Sequence, residues 1–326
     1  MRLLVTGATG KVGTNLISKL LSKPQWDRTR IRALCHSRAM EETDRIEVVM
    51  GSIADRACVE RAMAGVTHVV HLATCKETPE IVMDVTVKGL FWLLESFRQS
   101  ADAKQFILIG GDAGVGHFFH EHKNPITEFT PHMAYPGCYA LSKVLEEVML
   151  TQFGIQYGLN GCCLRAPWIM EKDDFRCSLS FGDDVFGGPI WKNLVAPDVA
   201  ERCRREGTVP LLRDAHDRPL KRNFVHVDDL AGAILAALGN PATNGKLYNI
   251  CMDEPVDYGH VANYLMQSQN LRSIDIPSNY HSNWMDNSKA KRELDWRPRY
   301  DLKKLIDTSW SYKRAANDPR EVRYPG

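Results

Sequence analysis

The feature that most constrains this chain is Thr6-Gly7-Ala8-Thr9-Gly10-Lys11-Val12-Gly13, which follows the apolar run Arg2–Val5 and opens the helical pattern Lys11–Ser22. Glycines at 7 and 10 let the backbone turn sharply and admit a diphosphate at close range, and Gly13 lets the helix lie against the strand. The helix N-terminus then offers unpaired N–H groups and the positive end of a dipole to an anion. Glycine-rich turns occur in many settings, because glycine tolerates positive φ. A strand directly before this one and a helix directly after it turn the signal into a dinucleotide-type turn inside a strand–helix–strand unit.

The next 150 residues repeat that unit. Strands are expected at Arg2–Val5, Ile31–Leu34, Glu47–Met50, His68–Leu72, Gln105–Ile109 and Gly161–Leu164. They are runs of Val, Ile and Leu without polar alternation, as parallel strands covered on both faces should be. Helices are expected at Lys11–Ser22, Arg56–Ala64, Glu80–Ser100 and Tyr139–Phe153. The pattern is that of an α/β fold of the Rossmann type, a doubly wound parallel sheet. After Leu164 the regularity breaks into a stretch with prolines at 167, 189, 197, 210 and 219. We therefore expect a dinucleotide-binding domain at 1–165, joined again by 223–251. A smaller interleaved substrate lobe takes 166–222 and 252–314, and a tail 315–326.

Charge and apolar run length exclude other classes. Lys+Arg is 41 against Asp+Glu 40, a formal net charge of +1, so no basic field invites nucleic acid. The longest apolar stretches, such as Leu230–Leu238, fall well short of the ~20 residues of a membrane span. Nine cysteines with no Cys-x-x-Cys pair fit a reducing compartment, and no apolar leader precedes the first strand. A soluble cytoplasmic protein is expected.

Two short stretches carry chemistry. Tyr139 and Lys143 stand four apart, on one helix face. A phenol ionises near pH ~10, and an adjacent ammonium lowers that value by favouring phenolate, which makes a tuned proton acceptor or donor for a carbinol–carbonyl pair. At the end of the second strand, Leu34-Cys35-His36-Ser37-Arg38 lacks the carboxylate that accepts from the 2′-hydroxyl of NAD. Ser37 and Arg38 suit a 2′-phosphate, so the choice between NAD and NADP tilts towards NADP.

With these residues in view, the chain resembles the extended short-chain dehydrogenase/reductase superfamily, in particular its NAD(P)-dependent sugar epimerase/dehydratase branch. Besides the glycine turn and Tyr139…Lys143, the resemblance includes Val70-His71-Leu72-Ala73, Leu164-Arg165-Ala166-Pro167, Asn223 to Ala231, and Asp286-Asn287-Ser288-Lys289-Ala290. It implies cofactor contacts at Gly7, Thr9, Gly10, Lys11, Val12, Gly13, Ser37, Arg38, Ser52, Ile53, Leu72, Ala73, Thr74, Tyr139, Lys143 and Pro167. It implies hydride transfer at a CH–OH of a sugar, polyol or sugar acid, and a homodimer paired through the helices Glu80–Ser100 and Tyr139–Phe153. A nucleotide-sugar 4-epimerase and a non-catalytic dinucleotide-binding protein are the alternatives.

The departures from the branch narrow the reading. Asp112 falls where a Ser or Thr usually assists the tyrosine; an ionised carboxylate accepts a substrate hydroxyl but cannot donate to a carbonyl, or it simply braces its loop. Ala113 and Gly114 replace the acid pair of the 4,6-dehydratases, and Thr86 replaces a bridging Asn. Arg222 matches one diphosphate-clamping arginine, but none lies in Pro277–Trp284, and Trp168 offers a flat face where an Asn is usual. These changes favour a small sugar-like substrate met by Asp112, His117, Trp168 and Arg222. His117, His120 and His122 form no compact metal-ligand spacing, and no metal is expected.

Overall fold

The structure, a computed structural model, describes residues 1–318 apart from 124, 184, 186 and 188; of the expected tail, 319–326 lie outside the described residues. Six strands precede the break in the sequence pattern: β1 (Arg2–Thr6), β2 (Arg30–Cys35), β3 (Ile46–Met50), β4 (His68–His71), β5 (Gln105–Gly111) and β6 (Gly161–Ala166). Four follow at β7 (Trp168–Met170), β8 (Val209–Leu212), β9 (Lys221–Arg222) and β10 (Phe224–His226), and then β11 (Lys246–Asn249), β12 (Val256–Asp257) and β13 (Ser273–Ile276). The main sheet is parallel and seven-stranded, in the order β11–β6–β5–β4–β1–β2–β3. The chain builds outward from β1 to β3, then crosses to β4 on the other side of β1. That reversal opens a crevice at the carboxyl ends of β1 and β4, where ligands of such sheets bind.

Alternate residues of β1 explain why both faces are covered. Leu3 and Val5 join a core with Leu16, Ile17 and Leu20 of α1 (Lys11–Ser22) and with Leu230, Ala233 and Ile234 of a later helix, Val227–Ala237. Leu4 points the other way, into a core with Val59 of α2 (Arg56–Met63) and Leu90, Leu93 and Phe97. Each such buried side chain contributes about 1.5–3 kcal/mol relative to exposure, so a one-residue slip of β1 would expose both cores.

The single helix expected over Glu80–Ser100 is divided. A short α3 (Pro79–Val82) runs into a π-helical stretch, Met83–Lys88, before α4 (Gly89–Gln99) resumes α geometry. The extra residue turns Thr86 inward, where it is wholly buried. The helix α5 (Cys138–Tyr157) carries the Tyr-Lys pair and runs four residues past the expected end, to a left-handed glycine at 158.

The lobe has its own core around Trp191, Phe175, Phe224, Tyr258 and Leu265. Within 223–251, the stretch expected to rejoin the dinucleotide-binding domain, β10 pairs with β7 in a separate two-stranded parallel sheet and not with the main one. Ala290, Leu294 and Trp296 lie in the main-sheet core, although the expected division put 252–314 in the lobe. The indole N–H of Trp296 reaches the Asp229 carbonyl at 2.9 Å.

Candidate active site

At the carboxyl edge of the sheet a cavity of about 490 Å³ runs from the glycine turn to the lobe. It is lined by Gly7, Thr9, Gly10, Lys11, Val12, Gly13, Ser37, Arg38, Ser52, Ile53, Leu72, Ala73, Thr74 and Pro167, and by Tyr139 and Lys143. Asp112, His117, Trp168 and Arg222 line its other end. All the cofactor and substrate residues expected from the sequence therefore share one cleft. It also takes in Lys76, Glu77, Phe118, Phe119, Tyr135 and Gly187, which no local motif announced.

The glycine turn has the shape a dinucleotide needs. Gly7 has φ +65°, and a Cβ on it would come within 3.0 Å of the Ala73 nitrogen. A Cβ on Gly13 would lie 2.5 Å from the Gly7 carbonyl oxygen. The first turn of α1 has no side-chain cap and no acidic residue, so its N–H groups face the cleft without a competing anion. The Lys11 ammonium bonds the Ile169 carbonyl at 3.0 Å and the Asp174 carboxylate, linking the turn to the lobe. Burial pushes that ammonium down, against the pull of Asp174. The Arg38 guanidinium donates to the Thr9 carbonyl at 3.2 Å.

Beneath the turn, the Thr6 hydroxyl oxygen accepts from the N–H groups of Leu72 and Ala73 at 3.1 and 3.2 Å. Its own proton is then left for His71 Nδ1, 2.8 Å away. Burial, with the Lys143 charge nearby, pushes this imidazole down to about 3. Lys143 Nζ lies 5.6 Å from the Tyr139 ring centroid and 2.7 Å from the Glu146 carboxylate. Burial alone would lower the Lys143 value, but Glu146 and the Tyr139 phenol outweigh it, so the ammonium is retained. Burial raises the Glu146 carboxyl in turn, against the Lys143 charge.

Tyr139 is the second residue of α5, whose N-cap, Gly137, has no side chain to offer. The missing cap comes from another loop: the Glu77 carboxylate accepts from the backbone N–H of Cys138 at 2.9 Å and of Tyr139 at 3.3 Å. The only sequence signal for this was negative, the absence of Ser, Thr, Asp or Asn in Tyr135-Pro136-Gly137.

At the lobe end Asp112, His117 and Arg222 form a buried chain. Asp112 Oδ2 lies 2.7 Å from His117 Nδ1, and His117 Nε2 lies 2.9 Å from Arg222 Nη2. A guanidinium can only donate, so Nε2 accepts and the ring proton sits on Nδ1, facing the carboxylate. Burial lowers the His117 value; Asp112 opposes that and Arg222 adds to it. His117 is held in the left-handed region at φ +49°, and its carbonyl accepts from the Asn283 amide at 2.7 Å. The Arg222 guanidinium carbon also lies 3.9 Å from the Trp168 ring centroid and 4.4 Å from that of Phe118. Trp168, expected either to offer a flat face to a sugar ring or to fill the lobe core, carries a cation against its indole and stacks with Phe224. Phe119 and Tyr135, stacked 4.7 Å apart, add further aromatic lining. Among the described residues no group of three or more His, Cys, Asp or Glu is placed to hold a metal ion.

A doubly wound sheet with a glycine turn at its switch point and a Tyr-x-x-x-Lys helix beside it defines an NAD(P)-dependent enzyme of the short-chain dehydrogenase/reductase superfamily. Within that superfamily the chain belongs to the NAD-dependent epimerase/dehydratase family, whose model matches residues 3–170. It is 25% identical to the UDP-glucose 4-epimerase of Erwinia amylovora over 351 residues, covering 96% of this chain and 98% of the relative. It is 28% identical to the dTDP-glucose 4,6-dehydratase of Mycobacterium tuberculosis over 363 residues, covering 99% and 98%. Its fold matches a short-chain dehydrogenase/reductase superfamily protein from Agrobacterium tumefaciens solved with bound NAD, at a TM-score of 0.78 and 20% identity over 95% of this chain and 96% of that one.

Proposed function

We propose that the chain is an NAD(P)-dependent oxidoreductase acting at a CH–OH of a sugar, polyol or sugar acid. The observation that carries this reading is the meeting of Tyr139, Lys143 and Asp112 in the same cleft as the glycine turn. The N–H groups of Lys11, Val12 and Gly13 suit the diphosphate, Ser52, Ile53, Leu72, Ala73 and Thr74 the adenosine and ribose, and Pro167 the nicotinamide side. When bound, the nicotinamide ring supplies the hydride acceptor or donor. Tyr139 takes the hydroxyl proton, and the Lys143 ammonium stabilises the negative charge that the phenol oxygen bears before the proton arrives and after it leaves. Asp112, oriented by His117, accepts from a substrate hydroxyl and favours an alcohol over a ketone in the ground state. The dehydratase route lacks its acids, since Ala113 and Gly114 occupy the turn after Asp112.

Ser37 and Arg38 beside the cleft, with no carboxylate at the end of β2, support NADP over NAD. A homodimer is supported by apolar side chains left exposed on the outer helices. Leu141, Val148 and Ile155 recur every seven residues along α5, and Phe91 is exposed on α4. Nine cysteines with no Cys-x-x-Cys pair agree with the cytoplasm. No helix among the described residues is long and apolar enough to cross a membrane.

The test is a panel of aldoses, polyols and uronic acids with NAD⁺ or NADP⁺. Stoichiometric reduced cofactor is expected from the wild type, and Tyr139→Phe should turn over about 10²–10⁴ times more slowly while still binding cofactor. Substrate conversion with no net reduced cofactor would favour an epimerase instead. An unchanged Tyr139→Phe enzyme would remove the assignment.

A further inference from the structure

We propose that the Cys75–Glu77 loop positions the Tyr139 phenol from outside its own helix, Glu77 by capping the first turn of α5 and Lys76 by holding an ammonium over the ring. The proposal rests on the reading of Tyr139 as the proton-transfer group.

Tyr139 stands in the turn of α5 most prone to fray, because its N–H groups have no intrahelical acceptor. The N-cap glycine contributes no side-chain hydrogen bond. A single carboxylate oxygen, Glu77 Oε2, instead accepts from the Cys138 N–H, the Tyr139 N–H and, at 3.2 Å, the Cys138 thiol. Glu77 lies 61 residues earlier in the chain than Cys138. Its negative charge at the helix N-terminus also suits the dipole. The neighbouring residue reaches the same tyrosine: Lys76 Nζ lies 4.1 Å from the ring centroid, closer than Lys143 at 5.6 Å. An ammonium over an aromatic face is attracted to it, the more so when the ring carries negative charge.

The loop is itself anchored. The Cys75 N–H donates to Thr86 Oγ1 at 2.9 Å, and Thr86 is wholly buried on the π-helical stretch Met83–Lys88. Such π turns recur at functional sites because the inserted residue re-aims a side chain. Here it aims a hydroxyl at the backbone of the loop that holds Tyr139. Capping, charge and anchor therefore converge on the position of one phenol oxygen, although none of the three residues belongs to the helix that carries it.

The experiment uses the full-length enzyme and the panel substrate on which the wild type turns over. Glu77→Ala should lower kcat about tenfold, the size of a lost cap contact transmitted to the reacting group, with KM and cofactor Kd within twofold. Backbone amide exchange at Cys138 and Tyr139, read without substrate, should quicken. Glu77→Gln keeps an acceptor and should recover most of the lost kcat and the slow exchange. Lys76→Met, which keeps length but not charge, should lower kcat about fivefold, and Lys76→Arg should restore it. Wild-type kcat in Glu77→Ala or Lys76→Met, a loss confined to KM, or a Glu77→Gln enzyme as slow as Glu77→Ala would overturn the proposal. Should Tyr139→Phe keep full activity, the underlying assignment falls. Should Tyr139→Phe be inactive while the loop variants behave as wild type, only the loop's role falls.

Discussion

The half of the cleft under the glycine turn is made largely of backbone, whereas the half under the lobe is made of side chains bonded to one another. In the first, the working groups are N–H donors at the start of α1, and Gly7 and Gly13 are glycines because a Cβ on either would press on neighbouring main chain. In the second, Asp112, His117 and Arg222 orient each other through contacts of 2.7 and 2.9 Å. A backbone site tolerates variation in side chains but not in shape. A side-chain network can be retuned by one substitution, and that is where substrate choice has room to diverge within a family.

The sharpest way to break this contrast is Gly13→Val. Its Cβ would meet the Gly7 and Ala8 carbonyl oxygens at 2.5 and 2.6 Å and the Ala8 Cα at 2.7 Å, all main chain. Strand and helix must then separate. We expect cofactor Kd to rise about a hundredfold or more, with about 2 kcal/mol of stability lost to overpacking. Fluorescence titration with NADPH and urea unfolding measure both. A Kd within threefold of wild type would mean the turn is not the cofactor cradle.

Asp112→Asn sharpens the other side. The amide oxygen can still accept from His117 Nδ1, while the NH₂ group is free to donate into the cleft. The ratio of KM for ketone to KM for alcohol should fall about tenfold, the worth of one charged hydrogen bond exchanged for a donor. Steady-state kinetics in both directions would show it, and an unmoved ratio would leave Asp112 as a loop brace. A smaller effect is expected at Arg38, a surface charge. Arg38→Ala should weaken NADP about fivefold and leave NAD unchanged, since exposed ion pairs contribute at most about 1 kcal/mol.

What could be read from the chain follows the same division. Gly7, Gly10 and Gly13 are local, and Tyr139 and Lys143 are one helical turn apart, so spacing alone brings them together. The chain Asp112–His117–Arg222 joins residues 105 apart, and nothing in a linear pattern pairs an arginine with a particular histidine. Trp168 illustrates the limit: its flat face was evident, but its use by Arg222 depends on β10 pairing with β7, which periodicity does not encode. The π turn escaped because one inserted residue barely disturbs an apolar helix pattern. Glu77 escaped because a cap supplied from a distant loop leaves no mark beside the helix it caps.

His71 tests how firmly the backbone-built half depends on an uncharged foundation. It is 1% exposed, and burial with Lys143 nearby pushes it down to about 3, far from the 6.5 of a free imidazole. Between those values the unfolded chain binds a proton that the folded chain refuses, so stability is fully present above pH 6.5 and is lost as the pH falls towards 3. The slope reaches about 1.4 kcal/mol per unit at most, or about 1 kcal/mol between pH 7 and 5.5. His71→Asn keeps a polar partner for the Thr6 hydroxyl and removes the titration. Urea midpoints at both pH values should show a variant less acid-sensitive than wild type by about that amount. An equal acid sensitivity would mean that His71 accepts its proton in the folded state, and that the floor beneath Thr6, Leu72 and Ala73 yields more easily than its burial implies.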